Sequence, residues 1–411
     1  MKNITLIHFA YPPNTGGVEI LLREQALILA DLGFNINVLT GAGAEDDKRI
    51  KLTIVPEFQS VLSFNPQLQE KILTNGIIDD EFEQTAILIE KKLTENLINT
   101  DIIIIHNMLT LVRNLPFVQA FHEYVKNHPE KKFVIWTHDH SYINEFIIKD
   151  MATAAHSEKE KKLLTTAIPN VTYVVISETF KKPLIELMNL PADKVLAIPD
   201  GINMERFLEI DKPIYELIQR NNLLSSFPIL LSPVNILARK NLDYCVEIVK
   251  NLKTFYPNIR YIITGNPSQH RFTLEYLNKL KSMIKEYDLD NNILFFGEIF
   301  NRYLKDSEMH DLYDIADAVL FISKSENFGL PLIEAALSKT PIFVSELAVF
   351  HEILGDNVQY IDYKTITPDK AAAIIKNYIE NNKLIKANFN SRNKYDLLTI
   401  TRELLLPLLN S

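Results

Sequence analysis

Short hydrophobic runs alternate along the chain with longer stretches of helical periodicity. Within Val18–Leu32, side chains recur at the three- and four-residue intervals of one helix face: Leu21, Leu22, Gln25, Leu29 and Leu32. The hydrophobic runs in the first half of the chain predict these strands: Ile4–Phe9, Asn35–Leu39, Asp101–His106, Phe133–Thr137, Tyr173–Ile176 and Val195–Ile198. Strands that alternate with helices predict a parallel sheet covered by helices on both faces.

The same rhythm begins again near the middle of the chain. Further strands are predicted there: Ile229–Ser232, Arg260–Thr264, Ile293–Phe296, Ala318–Ile322 and Ile342–Val344. The helices expected in this half are about Leu242–Phe255, Leu274–Tyr287, Leu332–Leu337 and Pro368–Glu380. The pattern therefore predicts an α/β chain with two doubly wound domains.

The expected join between the domains is the segment Ile198–Phe207 together with the polar, proline-containing stretch up to Phe227, and Pro199 and Gly201 suit a turn that leaves one sheet for the next. A final helical stretch has no strand partner, and we expect it to pack back across the join. The predicted organisation is a first domain over residues 1–200 with a mainly helical insertion at about 59–99, a second domain over 201–390, and a C-terminal helix over 391–411.

Composition and charge narrow the classes of partner. Hydrophobic residues make up 47% and charged residues 23% of the chain, as in folded soluble proteins. The chain has 43 Lys and Arg against 52 Asp and Glu, a net charge of −9, which disfavours nucleic acid and anionic membranes as partners. The one candidate for a basic helix face, Glu158–Leu164, interleaves acids with its lysines, so a solvated surface is favoured over peripheral membrane contact.

The single cysteine, Cys245, excludes an internal disulfide and a cysteine zinc cluster. No hydrophobic run approaches the roughly 18 residues of a membrane span, and the apolar stretch near Met1 is too short for a secretion signal. We therefore expect a cytoplasmic protein.

Glycine is scarce, at 11 in 411 residues, so its positions are informative. The following glycines come after predicted strands: Gly16, Gly17, Gly41, Gly43, Gly265, Gly297 and Gly329. Tight turns would explain any one of them. The pattern across both halves favours a ligand crevice at the carboxyl ends of the strands.

The loop Tyr11–Glu19 brings Gly16 and Gly17 to the start of a predicted helix. Free amides and the helix dipole favour a phosphate at such a point. Neither this loop nor Gly41–Asp46 has the G-x-G-x-x-G spacing of a dinucleotide site, and no P-loop motif occurs. The sequence thus favours a different kind of phosphate contact.

Three histidines lie at the ends of neighbouring predicted strands: His106 closes one, and His138 and His140 follow the next. Strand alternation would put His138 and His140 on one face, which would fit a metal site. A third ligand and a supporting carboxylate are not evident, however. A hydrogen-bonded core histidine and a substrate-contacting histidine are the other interpretations.

The segment Ile322–Asn357 has the strongest chemical signal. Glu326 is expected in a loop and Glu334, eight positions later, in the first turn of a helix. The two carboxylates suit the hydroxyl pairs of a sugar and a ribose, and the loop amides of residues 328–330 suit the phosphate between them. The same pair would fit the acid and base of a glycosidase, but the sheet topology and the phosphate features argue otherwise.

The stretch ENFGLPLIEA, which begins at Glu326, resembles the Glu-x7-Glu signature of retaining glycosyltransferases of family 4. The similarity extends over nearly the whole chain, because weaker motifs follow in the same order: PPNTGGVE, THD, VVIS-E, IPDGIN, ARKNLD, ITG, FFGEI and LYDIADAVLFISKS. This resemblance implies the GT-B fold, in which two Rossmann-like doubly wound domains face a central cleft.

The resemblance also implies roles for individual residues. It assigns Glu326 to the donor sugar, Glu334 to the ribose, the amides of Gly329 and Leu330 to a phosphate, Gly17 to the distal phosphate, His138 to the donor sugar near the acceptor, and Ile299 to the base. Enzymes of this type need no metal, because protein cations such as Lys240 neutralise the leaving diphosphate. The donor-binding set is completed by Gly16, Asn235, Arg239, Gly265 and Phe328.

The chain departs from the family pattern at one cation. The family usually has an arginine five residues before the lysine at Lys240, and this chain has Asn235 there. Arg239 either compensates for that loss or is an ordinary solvated charge. Asn327 and Asn203 also replace a more usual glycine and aspartate.

The function predicted from the sequence is retaining transfer of a hexose from a nucleotide sugar, UDP- or GDP-linked, to a hydroxyl acceptor such as a carbohydrate. His138, Glu326 and Lys240 are the predicted catalytic residues, with no metal and no other cofactor. A catalytically weak nucleotide-sugar-binding homologue is one alternative, motivated by Asn235. A sugar-nucleotide epimerase or hydrolase of the same fold is the other. The sequence leaves open the acceptor, the sugar, the base and the oligomeric state.

Overall fold

The structure is a computed structural model that describes residues 2–14, 16–45, 47–147, 157–265 and 271–410. The chain divides into two compact units. The first comprises Met1–Asn203 and Leu397–Ser411, and the second comprises Met204–Asp396.

The first unit contains a seven-stranded parallel sheet in the order β3-β2-β1-β4-β5-β6-β7. Its strands are β1 Asn3–His8, β2 Asn35–Thr40, β3 Ile50–Ile54, β4 Ile102–His106, β5 Lys132–Thr137, β6 Val171–Val175 and β7 Val195–Ala197. The helices of this half of the chain are Gly17–Asp31, Val61–Phe64, Pro66–Gln69, Asp80–Leu97, Leu115–Asn127, Glu158–Thr165 and Glu178–Met188. The strand order reverses between β1 and β4, which makes the sheet doubly wound.

Strand β4 shows why its hydrophobic run is continuous. Ile103 and Ile105 pack into the core on one face of the sheet, and Ile102 and Ile104 pack into the core on the other. Successive side chains of a strand point to opposite faces, so a strand covered on both sides needs an apolar residue at every position.

The second unit contains a six-stranded parallel sheet in the order β10-β9-β8-β11-β12-β13. Its strands are β8 Ile229–Ser232, β9 Arg260–Ile263, β10 Ile293–Phe295, β11 Ala318–Phe321, β12 Ile342–Ser345 and β13 Gln359–Ile361. Its helices are Met204–Phe207, Lys212–Arg220, Leu242–Lys253, Arg271–Glu286, Phe296–Phe300, Asp306–Ile315, Leu330–Leu337, Ala348–Leu354, Pro368–Asn381 and Lys383–Lys394. Two Rossmann-like α/β units are thus present, and this part of the predicted fold class is confirmed.

The two strands that the sequence analysis missed, β3 and β13, lie at sheet edges. Strand β3 alternates apolar with polar residues, and β13 has only three residues. Helix Asp80–Leu97 connects β3 to β4 and packs on helix Leu115–Asn127, so much of the region interpreted as an insertion is a regular crossover.

The C-terminal segment is divided between the units. Helix Lys383–Lys394 belongs to the second unit, where buried Arg392 pairs with buried Asp317 at 2.7 Å. The short helices Leu397–Ile400 and Leu406–Asn410, joined by a π-helical turn, pack on the first sheet. No helix in the described ranges is long and apolar enough to cross a membrane.

Candidate functional site

The loop that follows β11 leads directly into helix Leu330–Leu337. Gly329 caps this helix with φ +145°, a backbone conformation that favours glycine, and a Cβ there would come within 3.2 Å of Leu332 and Phe350. Within the described residues, the backbone N–H groups of Gly329 and Leu330 donate to no other group. Two free amides at the positive end of a helix dipole favour an anion.

Glu326 lies in the same loop and is held by three donors. Its Oε1 accepts hydrogen bonds from Lys240 Nζ and, at 2.9 Å, from Ser323 Oγ, while its Oε2 accepts from Arg239 Nη1 at 2.9 Å. Burial would raise the pKa of the Glu326 carboxyl, but these hydrogen bonds outweigh burial and lower it on balance. The carboxylate is therefore ionised at neutral pH and holds two cations.

The two cations come from one turn of the chain, Ala238–Lys240. Lys240 is largely buried, and its ammonium lies 5.0 Å above the Phe321 ring. Arg239 is half exposed and donates also to Ser325 O at 3.1 Å. Arg239 is thus part of the Glu326 cluster and not an isolated surface charge. Its contact with a diphosphate stays a prediction.

Asn235 lies in the loop after β8, and its side chain is exposed. It makes no side-chain hydrogen bond within the described ranges. The same loop explains Gly265, because a Cβ at position 265 would lie 2.2 Å from Val234 O and 2.3 Å from Asn235 Cα. Position 265 therefore requires glycine, because the backbone of this loop packs too closely against the end of β9 to leave room for a side chain.

Glu334 lies in the second turn of helix Leu330–Leu337. The sequence analysis placed it in the first turn because it predicted a helix start at Leu332, two residues too late. Its Oε2 accepts a hydrogen bond of 2.8 Å from the hydroxyl of Tyr313, on helix Asp306–Ile315. Glu326 and Glu334 thus have separate partners. The sequence analysis missed Tyr313, although it lies within the quoted motif LYDIADAVL.

Three predicted donor-site residues have exposed apolar side chains. Ile299, on the short helix Phe296–Phe300, is 49% exposed, Phe328 is 50% exposed and Leu330 is 64% exposed. Exposed side chains of this size could cover the flat face of a base, which is the role implied for Ile299.

In the first unit, Gly16 and Gly17 lie at the start of helix Gly17–Asp31, as expected. Gly16 is extended, with φ −137°, so positive φ does not explain the glycine pair. A Cβ at Gly16 would collide with the mobile carboxylate end of Glu19, whereas a Cβ at Gly17 would meet nothing within 4 Å. The open space beside Gly17 leaves room for a ligand close to the backbone.

The loop after β2 supports this glycine loop. Gly43 has φ +142°, and a Cβ there would lie 2.6 Å from Tyr11 Cβ. Glu45 accepts hydrogen bonds from the Tyr11 hydroxyl at 2.5 Å and from Arg23 Nε at 3.0 Å. Burial opposes ionisation of Glu45, but these donors lower its pKa to about 2. Gly43 and Glu45, from the segment that lacks the spacing of a dinucleotide motif, thus anchor the Tyr11 loop.

A chain of hydrogen bonds runs through the histidines at the carboxyl edge of the first sheet. Gln25 Oε1 accepts from His106 Nε2 at 3.0 Å, so His106 Nδ1 is the acceptor for His138 Nε2 at 3.1 Å. His138 Nδ1 in turn lies 3.1 Å from Asp200 Oδ2. Burial, with smaller contributions from neighbouring histidines, lowers the pKa of His106 well below its usual value. Both ring nitrogens of His138 are therefore engaged by protein groups.

His8 joins the same cluster from β1. Its Nδ1 donates to the carbonyl oxygen of His106 at 2.7 Å, and its Nε2 lies 3.5 Å from Glu19 Oε1. The hydrogen bond with His8 contributes most to the lowered pKa of Glu19. Spacing alone gave no signal for Gln25 or Asp200, because they come from distant parts of the chain.

His138 and His140 do not come together as the metal-site interpretation would require. His140 is buried, and its Nε2 donates to Leu164 O at 3.0 Å while its Nδ1 accepts from the backbone N–H of Tyr142. Burial lowers the pKa of His140 to about 4. Within the part of the chain that the structure describes, no group of three or more His, Cys, Asp or Glu could hold a metal ion.

Comparisons with known proteins point to one class of activity. Residues 214–395, all within the second unit, match the family model described as glycosyl transferases group 1. The chain is 27% identical over 203 residues to the O-antigen chain mannosyltransferase RfbU of Salmonella typhimurium, and this match covers 49% of each chain. The chain thus spans about half the length of that relative.

A longer match is with the mannosylglucosylglycerate synthase of Petrotoga mobilis, at 22% identity over 380 residues, or 84% of this chain and 83% of the relative. Among solved structures, the sucrose-phosphate synthase of Thermosynechococcus elongatus aligns with 100% of this chain and 99% of its own, with a TM-score of 0.41 and 16% identity. The sequence matches support glycosyl transfer as the class of activity.

Proposed function

We propose that this chain is a retaining glycosyltransferase that moves a hexose from a nucleotide sugar to an acceptor hydroxyl without a metal ion. The observation that carries the proposal is the position of Glu326, whose carboxylate is held between Lys240 and Arg239 in a loop that leads to two free helix amides. Cations and amides of this kind serve a diphosphate, and the carboxylate serves sugar hydroxyls.

The second unit supplies the donor contacts in this proposal. Lys240 and Arg239 neutralise the diphosphate, and the amides of Gly329 and Leu330 donate to its oxygens. Glu334 accepts hydrogen bonds from the ribose, and Ile299 covers the base. The proposal includes no divalent cation, because Lys240, Arg239 and the helix dipole face the diphosphate, although Glu326 offsets one of the two positive charges.

In the proposed reaction, the bond between the anomeric carbon and the phosphate oxygen breaks while the acceptor oxygen bonds to the same face of the sugar. The proton of the acceptor hydroxyl passes to the leaving phosphate, and a nucleoside diphosphate departs. The protein's part is to position the two substrates and to stabilise the charge that develops on the phosphate.

For the first unit, the proposal keeps the roles that the resemblance implies, with the Gly17 amide assigned to the distal phosphate and His138 to the donor sugar. Because both His138 ring nitrogens are engaged, a hydrogen bond from this ring to the sugar requires Asp200 or His106 to release it. We expect His138 to contact the sugar through such an exchange.

The names of the relatives suggest the first substrates to test. Two of them are named for mannosyl products, so a mannosyl nucleotide is a suitable first donor, followed by UDP- and ADP-linked hexoses. We propose a cytoplasmic enzyme with a carbohydrate acceptor, and the single cysteine, Cys245, which is free and buried, fits a reducing compartment.

Thermal unfolding with a panel of UDP-, GDP- and ADP-sugars tests donor binding. A ligand at 100 times its dissociation constant stabilises the folded protein by about 2.7 kcal/mol. Nucleotide release with and without candidate acceptors then tests transfer, and the anomeric configuration of the product by NMR tests retention. If no nucleotide sugar raises the melting temperature, the proposal fails.

A catalytically weak binding homologue is the second candidate, and one observation favours it. Asn235 is exposed and neutral at the position where a cation is expected, so the diphosphate would have one charge fewer beside it. This candidate predicts that a nucleotide sugar binds but that no acceptor increases nucleotide release. An epimerase or hydrolase would release or convert its product without an acceptor.

A further inference from the structure

A single hydroxyl group fixes the carboxylate of Glu334. Tyr313 is 3% exposed, and its hydroxyl lies 2.8 Å from Glu334 Oε2 and 3.2 Å from Pro331 O. Within the described ranges, no other side chain donates to Glu334. The contact joins helix Asp306–Ile315 to helix Leu330–Leu337.

The direction of this hydrogen bond is fixed. Burial, followed by the hydrogen bond with Glu334 and its negative charge, raises the pKa of the Tyr313 phenol well above its usual value. The phenol therefore keeps its proton at neutral pH. An ionised carboxylate can only accept, so Tyr313 is always the donor.

The contact leaves half of the carboxylate available. Glu334 is exposed, and within the described residues no group donates to its Oε1. Each carboxylate oxygen can accept more than one hydrogen bond. Glu334 can therefore bind two neighbouring hydroxyls while Tyr313 holds Oε2 in place.

We infer that Tyr313 is a positioning residue that presets Glu334 to bind the two hydroxyls of a ribose. This inference rests on the proposed function, because it takes the ligand to be a nucleotide. An exposed glutamate on a helix samples several rotamers and loses that freedom when it binds. The hydroxyl of Tyr313 selects one rotamer in advance, so less freedom is lost when the ribose arrives.

The test is calorimetric binding of UDP and GDP, and of their 2′-deoxy forms, to the full chain and to Tyr313→Phe. Phenylalanine keeps the buried ring and removes only the hydroxyl. For whichever base binds, we expect the ribose form to bind about three- to tenfold more weakly to Tyr313→Phe, and the 2′-deoxy form to change less. The preference for ribose therefore falls.

Tyr276→Phe is the matched control. Its hydroxyl also donates to a carboxylate at 2.8 Å, that of Asp243, and its ring is nearly as buried, at 8% exposure. This variant should lose stability comparably but keep the full preference for ribose. An equal loss of the preference for ribose in both variants would overturn the inference. It would mean that the loss of any buried hydroxyl of this unit lowers that preference.

Two further variants separate a positioning role from a purely structural one. Glu334→Gln alone should reduce the preference for ribose, and adding Tyr313→Phe should reduce it little further if Tyr313 acts through Glu334. Full preference in Glu334→Gln overturns the inference whatever Tyr313→Phe does. If the unmodified protein binds neither UDP nor GDP, nor an ADP control, the proposed function itself fails.

Discussion

Arg239 Nη1 lies 2.9 Å from Glu326 Oε2, on the side of the carboxylate opposite to Lys240. Two residues adjacent in sequence thus hold the two oxygens of one carboxylate. We predict from this relationship that Arg239 replaces the cation that the family pattern would place at Asn235.

Arg239→Ala should therefore reduce transfer. Loss of a hydrogen bond between charged groups costs about 1.5–3 kcal/mol, which corresponds to roughly a 10- to 150-fold lower kcat/KM. Asn235→Arg in the Arg239→Ala background should recover part of the loss. Steady-state kinetics with the best donor measures both effects, with Arg220→Ala as the control, since Arg220 is an exposed arginine of the same unit that lies 3.5 Å from the Glu216 carboxylate. Unchanged kinetics in Arg239→Ala would make Arg239 a surface charge.

The two glutamates should fail in different ways. If Glu326 contacts the reacting sugar as proposed, Glu326→Gln should lower kcat by about tenfold or more; if Glu334 binds the remote ribose, Glu334→Ala should chiefly raise the KM for the donor. Initial rates over a range of donor concentrations separate the two parameters. Similar mild changes in kcat and KM for both variants would contradict the assignment.

Two glycines should separate folding from binding. Gly329→Ala forces an alanine to φ +145° and should destabilise the protein by about 1–3 kcal/mol. Gly17→Ala meets no atom within 4 Å and should leave the melting temperature unchanged, but its methyl group should weaken donor binding if a phosphate approaches there. Thermal unfolding with and without donor tests both. Normal donor affinity in Gly17→Ala would mean that no phosphate of the donor binds at this loop.

The Glu45 cluster predicts a pH-dependent stability. Because folding lowers the pKa of Glu45 from 4.5 to about 2, its contribution is fully present above pH 4.5 and is lost as the pH falls toward 2. Glu45→Gln should cost about 1.5–3 kcal/mol at pH 7 and progressively less at pH 4 and pH 3. Urea unfolding at each pH measures the difference. Glu95→Gln is the control, since the exposed pairs of Glu95 with Lys91 and with Lys92 are each worth at most about 0.5 kcal/mol.

Removal of divalent metals should leave transfer intact. If Lys240 and Arg239 neutralise the diphosphate, then nucleotide release in the presence of acceptor should be the same with and without excess EDTA. A complete loss of activity that added metal restores would contradict metal-independent transfer. The carboxylates and histidines would then be the candidate metal ligands.

The sequence predicted the interior strands well and the contacts of the site only in part. Strand β8 was predicted at its observed bounds, because four consecutive apolar or small residues buried on both faces leave a clear pattern. Strands β3 and β13 were missed because β3 alternates apolar with polar residues, β13 has only three residues, and only one residue of each is buried. Hydrophobic periodicity records burial, so it identifies best what is buried most.

Site residues could be predicted by type but not by partner. Glu326 and Lys240 are 86 residues apart in sequence, and Gln25 and His106 are 81 apart, so nothing local indicates that they touch. Tyr313, the partner of Glu334, was missed for the same reason, since it lies on another helix. Such contacts arise only when parallel strands bring their carboxyl ends to one edge.

The last helices of the chain complete the first unit. Leu397 N donates to Ile202 O at 2.9 Å, and Leu405 and Leu409 are buried in the same core as Ile4. All of Met204–Asp396 lies between these two parts of the first unit in sequence. The ribosome must therefore synthesise the entire second unit before the first unit can complete its core. While those roughly two hundred residues are being synthesised, one apolar face of the first sheet is incompletely covered.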